Sequence, residues 1–286
     1  WGLLHDSDVF GMNLPARAWG VEHLSVEDRM VKAIDAGCDQ FGGEACPEIL
    51  VGMVKSGRIQ IQRIDESVRR LLKDKFELGL FENRYVDEET AVAVVGNAVF
   101  REEGLKAQSR SVVALRAAAG VLPLSTSTRV YVEGMSPEAL ADCVVIAPPP
   151  DDADVAIVRL DAPYEPRNDL FLEAMFRAGS LEFDAATVAH FEELARKVPV
   201  VLVVNLDRPA ILTPLEPHCS ALLATFGVSD EALVRVLTGE VNPEGRLPFE
   251  LPRSTQAVLE AHSDEPGGTR EPLYAYGFGL GGLVVP

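Results

Sequence analysis

Val198-Pro199-Val200-Val201-Leu202-Val203-Val204-Asn205-Leu206 is the stretch that decides the fold. It is an apolar run without polar alternation, the length of a buried strand and about half of what a bilayer-spanning helix requires. A strand apolar on both faces belongs inside a sheet covered on both sides. Working outward, similar short runs recur at Val112–Leu115, Arg129–Val132, Cys143–Ala147, Val155–Leu160 and Leu222–Phe226. Helical patterns lie between them, near Pro137–Ala141, Leu170–Ala178, Ala186–Lys197 and Asp230–Leu237. This alternation predicts a mainly parallel sheet in an α/β sandwich over residues 112–286.

The first third reads differently. Ser25-Val26-Glu27-Asp28 is a capping-box start, Met30, Ala33 and Ile34 form an apolar stripe, and Gly37 supplies a stop. Cys38–Phe41 is expected as a short strand, and Pro47 opens a second helix closed by Gly57. Ile64, Val68, Leu71, Leu72 and Phe76 recur at helical spacing up to Gly79. Residues 1–83 are thus read as strand and helix in alternation, and 84–111 as a connector holding one short helical turn.

Forty-four acidic against 26 basic residues give a formal charge of −18, which repels phosphate backbones and anionic lipid heads. Nucleic acid and membrane surfaces are therefore excluded as expected partners. Cys38, Cys46, Cys143 and Cys219 show no CxxC or Cys/His spacing, so neither a zinc site nor a disulfide framework is read, and no metal or cofactor is expected. Ala147-Pro148-Pro149-Pro150-Asp151-Asp152 is a turn or rigid loop.

In parallel sheets and barrels, ligands gather at the carboxyl ends of strands. Two segments carry carboxylates at such places: Ser7-Asp8 in the first part, and Leu160-Asp161-Ala162-Pro163-Tyr164-Glu165-Pro166-Arg167 in the second. Two carboxyl groups about 5–5.5 Å apart suit a retaining glycosidase, one attacking the sugar carbon and the other protonating the departing oxygen. From the residues alone, a carboxylate after a strand reads first as a helix cap or a loop salt bridge. His5 beside Ser7 and Asp8 is not read as a catalytic triad, because neighbouring residues on an extended segment face opposite sides.

Several motifs in order resemble glycoside hydrolase family 3, whose commonest members are β-glucosidases. They are Ser7-Asp8 with Arg17-Ala18-Trp19-Gly20, Ala36-Gly37-Cys38-Asp39, Arg63-Ile64-Asp65-Glu66-Ser67-Val68-Arg69-Arg70-Leu71-Leu72, and Lys75-Phe76-Glu77-Leu78-Gly79-Leu80-Phe81-Glu82-Asn83. The second half adds Asp207-Arg208-Pro209, Gly239-Glu240-Val241-Asn242-Pro243-Glu244-Gly245-Arg246-Leu247-Pro248 and Tyr276-Gly277-Phe278-Gly279-Leu280. The resemblance implies the tail of a (β/α)8-type barrel followed by a flavodoxin-like α/β sandwich, with retaining hydrolysis of β-glucosides or oligosaccharides at their junction. It makes Asp8 the nucleophile, although Val9 stands where the family often has Trp or Thr. The acid/base falls on Asp161 by spacing or on Glu165, which is preferred because the longer Glu reaches further. Trp19 and Arg17 are expected near the sugar, Trp19 stacking on it or buried in the barrel, and Arg167 is expected to orient substrate or Glu165 or to sit in a surface ion pair.

A full barrel needs roughly 200–250 residues, so the first part is expected to hold at most two βα units and the chain to be inactive alone. Exposed strand edges of a partial barrel predict self-association, with a homodimer among its forms. The alternatives are β-xylosidase, β-N-acetylglucosaminidase, or a non-catalytic carbohydrate-binding or interaction fragment. Secretion, the periplasm and the cytoplasm all stay open.

Overall fold

The computed structural model describes residues 20–41, 46–166, 176–262 and 267–283, with Ala16, Ala18 and the backbone of residues 7–9 and 12–14. The chain divides into two units, Trp1–Val92 and Ala93–Pro286.

In the first unit, β1 (Ser7–Val9) pairs antiparallel with β2 (Met12–Leu14). Three helices follow: α1 (Val26–Asp35), α2 (Pro47–Lys55) and α3 (Ile61–Glu77). Their ends obey the local code. Ser25 Oγ accepts the Asp28 N–H at 3.1 Å and donates to the Asp28 carboxylate at 2.7 Å, and α2 begins on Pro47. Met30, Ile34, Met53 and Ile59 are buried together between the helices.

The expected strand at Cys38–Phe41 does not form, for a local reason. The N–H groups of Gly37 and Cys38 turn back to the carbonyls of Ile34 and Ala33, closing α1 with Gly37 at φ +99°. Side chains of α3 then take the following backbone: Arg63 donates to the carbonyls of Ile34 and Cys38, and Asp39 accepts from Ser67 at 2.8 Å and Arg70 at 2.7 Å. The Ser67 hydroxyl foremost, then Arg70, holds the Asp39 carboxyl below its ordinary range.

Between the expected halves, two helices replace the connector. α4 (Glu88–Val94) starts where Asp87 accepts the Thr90 N–H, and α5 (Ala98–Ser111) starts on the Asn97 cap. Neither helix buries an apolar stripe, α4 having no buried residue and α5 only Ser109, and that is what hid them.

The second unit is built on β3 (Val113–Ala117), β4 (Arg129–Glu133), β5 (Val145–Ile146), β6 (Val155–Asp161), β7 (Val200–Asn205) and β8 (Ala221–Thr225), in the order β3-β8-β7-β6-β4-β5. Every neighbouring pair is parallel except β3 with β8, which is antiparallel. Helices α6 (Ala185–Lys197), α7 (Asp230–Leu237) and α8 (Thr255–Glu260) complete it. The segment at Pro137–Ala139 is a single 3-10 turn rather than a helix, and residues 167–175, most of the helix expected at Leu170–Ala178, lie outside the described residues.

β7 shows why the apolar run had no alternation. Val201 and Val203 pack on one side with Leu233 and Leu237 of α7, while Val200, Leu202 and Val204 pack on the other with Phe191 and Leu194 of α6. These five of the six β7 side chains are fully buried, each contributing about 1.5–3 kcal/mol of burial. The sheet is therefore rigid, and its carboxyl edge is a fixed platform for the loops that leave it.

Candidate active site

β6 ends at Asp161, which pairs in register with Asn205, the last residue of β7. Asn205 Nδ2 donates to Asp161 Oδ1 at 3.1 Å, and Asn205 Oδ1 accepts the Gly227 N–H at 2.8 Å beyond β8. The other Asp161 oxygen faces Arg177 Nη2 at 3.5 Å, and Arg177 Nε also pairs with Asp207 Oδ2 at 3.2 Å. The same guanidinium lies 4.8 Å over the ring of Tyr164. Both Asp161 oxygens are thus engaged in holding the edge of the sheet together.

Glu165 is placed by backbone, four residues beyond the end of the strand. Its N–H donates to the Ala178 carbonyl at 2.8 Å, an isolated antiparallel bridge that closes the base of the loop. Gly179 sits directly against it: a Cβ there would stand 2.5 Å from Glu165 Cβ and 2.6 Å from Cδ, so glycine is required, and its φ is +80°. Arg208 donates from Nη1 to the carbonyls of Ala178 (2.6 Å) and Pro163 (3.4 Å), and from Nη2 to that of Gly179 (2.8 Å).

The Glu165 side chain is exposed and has no hydrogen-bond or ion-pair partner among the described residues. It borders an open depression of about 600 Å³ with Tyr164, Glu182, Phe183, Asp184 and Thr187. Asp161 lines the same depression and is exposed too, so the two carboxylates differ in their partners: both Asp161 oxygens are engaged and the Glu165 side chain is not.

Asp8 lies in β1, with its backbone opposite Asn13 of β2. It therefore sits within a hairpin strand, where a position just after a barrel strand was expected. Trp19, Arg17 and Arg167 lie outside the described residues. Sequence reasoning missed Arg177, Asn205, Gly179 and the task of Arg208, although Asp207-Arg208-Pro209 stood out as a motif. Further along the same edge, Glu133 at the end of β4 accepts from Tyr131 Oη at 2.9 Å and meets His190 Nε2 at 2.9 Å. The hydrogen bond to Glu133 holds the Tyr131 phenol above its ordinary pKa. Among the described residues no cluster of His, Cys, Asp and Glu has the arrangement of a metal site, and no helix is long and apolar enough to cross a membrane.

The profile of the glycosyl hydrolase family 3 C-terminal domain matches residues 89–282. The chain belongs to glycosyl hydrolase family 3. Among curated proteins, β-glucosidase C of Emericella nidulans is 44% identical over 284 residues, covering 98% of this chain and 46% of that protein. A periplasmic β-glucosidase/β-xylosidase of Dickeya chrysanthemi is 38% identical over 266 residues, covering 92% of this chain and 40% of that one. The family 3 chain thus spans less than half the length of these relatives and corresponds to their carboxyl-terminal portion. Of solved structures, the β-glucosidase of Listeria innocua in complex with isofagomine superposes with a TM-score of 0.62 at 19% identity, over 86% of this chain and 43% of that one. At that identity the likeness speaks for the fold.

Proposed function

We propose that this family 3 chain carries the two carboxylates of a retaining, exo-acting glycoside hydrolase that releases sugar from β-glucosides, with Asp8 as nucleophile and Glu165 as acid/base. The observation that carries the reading is the contrast between two exposed carboxylates that line one depression after β6: Asp161 is engaged through both oxygens, while the Glu165 side chain has no partner among the described residues and is held by its backbone. The names of the curated relatives supply the substrate class.

In this reading the Asp8 carboxylate attacks the anomeric carbon, and the bond from that carbon to the glycosidic oxygen breaks. Its electron pair stays on the departing oxygen, which takes the proton of the Glu165 carboxyl. Glu165, now ionised, takes a proton from water as that water displaces Asp8 from the sugar, so configuration is retained and Glu165 ends protonated again.

Because binding energy from the sugar hydroxyls is realised in the transition state, a chain that spans 46% of its relative is proposed to turn over little aryl β-glucoside alone. The test joins the chain to the amino-terminal portion of β-glucosidase C from Emericella nidulans and treats it with a 2-fluoro glucoside. Covalent label found by mass spectrometry on the peptide holding Asp8 is the expected result. Full turnover in which no label forms, or label on another carboxylate, overturns it. The Dickeya relative's name covers β-xylosidase as well, so an aryl xyloside belongs in the same assay.

A further inference from the structure

We propose that Arg208 is a positioning residue that fixes Glu165 by clamping the two backbone segments on either side of it. The inference deepens the acid/base reading of Glu165 and rests on it.

The geometry is specific. One guanidinium reaches three carbonyls: Pro163, two residues ahead of Glu165, and Ala178 and Gly179 on the facing segment. Ala178 O is shared, since it accepts from Arg208 Nη1 at 2.6 Å and from the Glu165 N–H at 2.8 Å. Arg208 therefore holds the very acceptor that seats the Glu165 backbone. No other paired residue holds Glu165 within a regular strand; the bridge to Ala178 is isolated. Without the clamp, the Glu165 N–H to Ala178 bond would be the backbone hydrogen bond left between the two segments among the described residues, beside the exposed side-chain contacts of Arg177 with Asp161 and Tyr164, and solvent competes with both.

The anchor for the clamp is the sheet itself. Arg208 follows β7 by three residues, after Leu206, whose N–H donates to the Thr225 carbonyl at 2.7 Å, and Asp207, which pairs with Arg177. Among the described residues the Arg208 guanidinium meets carbonyls and no carboxylate, so its planar fork is committed to backbone. A lysine keeps the charge at this site but presents a point donor that cannot span three carbonyls on two segments.

The role predicts a signature that a merely stabilising arginine would not give. If Glu165 is displaced, protonation of the departing oxygen suffers, and that step matters most when the leaving group is a poor one. Substrates whose leaving group departs as a stable anion need little such help.

The test uses Arg208→Lys and Arg208→Met. On the 286-residue chain, amide exchange should quicken about tenfold at Glu165, whose N–H is bonded to the Ala178 carbonyl, while β6 and β7 keep their protection. In the chain joined to the amino-terminal portion of its Emericella relative, kcat on a simple alkyl β-glucoside should fall about a hundredfold, while kcat on the dinitrophenyl glucoside changes by less than about threefold. Unchanged exchange at Glu165, or equal loss on both substrates, overturns the clamp. Glu165→Ala is the control for the underlying reading: if it loses nothing on the alkyl glucoside, the acid/base assignment fails, and the exchange result still decides whether Arg208 holds the loop.

Discussion

Asp161 and Asn205 stand side by side at the last paired position of β6 and β7, joined by a 3.1 Å hydrogen bond from the amide of one to the carboxylate of the other. The amide works in two directions, since its oxygen also accepts the Gly227 N–H. Only a side chain with both a donor and an acceptor can tie β6 to the turn after β8 in this way.

Asn205→Asp removes the donor and sets a second carboxylate against the first. The expected cost is about 1–3 kcal/mol, read as a lower urea midpoint with an unchanged slope. An unaltered midpoint would show that the Asn205 bridge contributes nothing to the second unit.

Gly179→Ala is expected to act on the site more than on the fold. The new Cβ meets Glu165 at both Cβ and Cδ, and the φ of +80° disfavours any side chain, so Glu165 must move and the loop base must strain by about 1–3 kcal/mol. Gly134→Ala is the matching control in the same sheet. Its Cβ would strike the carbonyl of Arg159, with the carbonyl carbon 2.9 Å away, in backbone that cannot step aside. Thermal melts should show the greater loss for Gly134→Ala, and in the chain joined to the amino-terminal portion of its Emericella relative a selective loss of hydrolysis on poor leaving groups should follow Gly179→Ala alone.

The sheet was legible because β7 and its neighbours are buried on both faces, and burial of that kind leaves an unbroken apolar run in the sequence. The antiparallel edge, β3 on β8, was not, since a short apolar strand carries no mark of its direction. Cys38–Phe41 looked like a strand because it is short and partly apolar, but its backbone is taken by the end of α1 and by Arg63. At the site, Glu165 was visible as a carboxylate after a strand. Its fastening was hidden, because Arg208 lies 30 residues from Ala178 and meets it only through the fold.

Acid should weaken the chain through carboxylates whose pKa lies below its ordinary value. Asp184 accepts the Thr187 N–H at the start of α6, and Asp154 accepts from the Arg129 guanidinium; both are lowered from 3.8, by those contacts foremost. A lowered folded pKa gives stability that is present above the unfolded value and fades as pH drops below it. Chemical denaturation should therefore show a decline setting in below about pH 4. Asp184→Asn keeps the helix cap but does not titrate, so it should flatten that decline; a slope identical to the parent would remove Asp184 from the account.

Alkali acts through two groups shifted in the sense opposite to those carboxylates. Burial foremost raises the Cys219 thiol from 9.0 to about 12, and burial foremost raises the Tyr274 phenol well above 10.0. Each is held neutral in the fold: Cys219 Sγ donates to the Leu215 carbonyl at 3.3 Å, and Tyr274 Oη to Glu216 Oε1 at 3.4 Å. A raised folded pKa gives stability that is full below the unfolded value and is lost as pH climbs. Stability should begin to fall above about pH 9, first through Cys219 and then through Tyr274. Cys219→Ala removes the earlier of these and should move the onset upward by roughly one pH unit, toward the ordinary tyrosine range. The same burial predicts reactivity: at pH 8 a disulfide reagent should reach exposed Cys38 in the folded chain and Cys219 only after denaturant is added. Rapid labelling of Cys219 in the native chain would show that the packing beneath β7 opens far more readily than its burial implies.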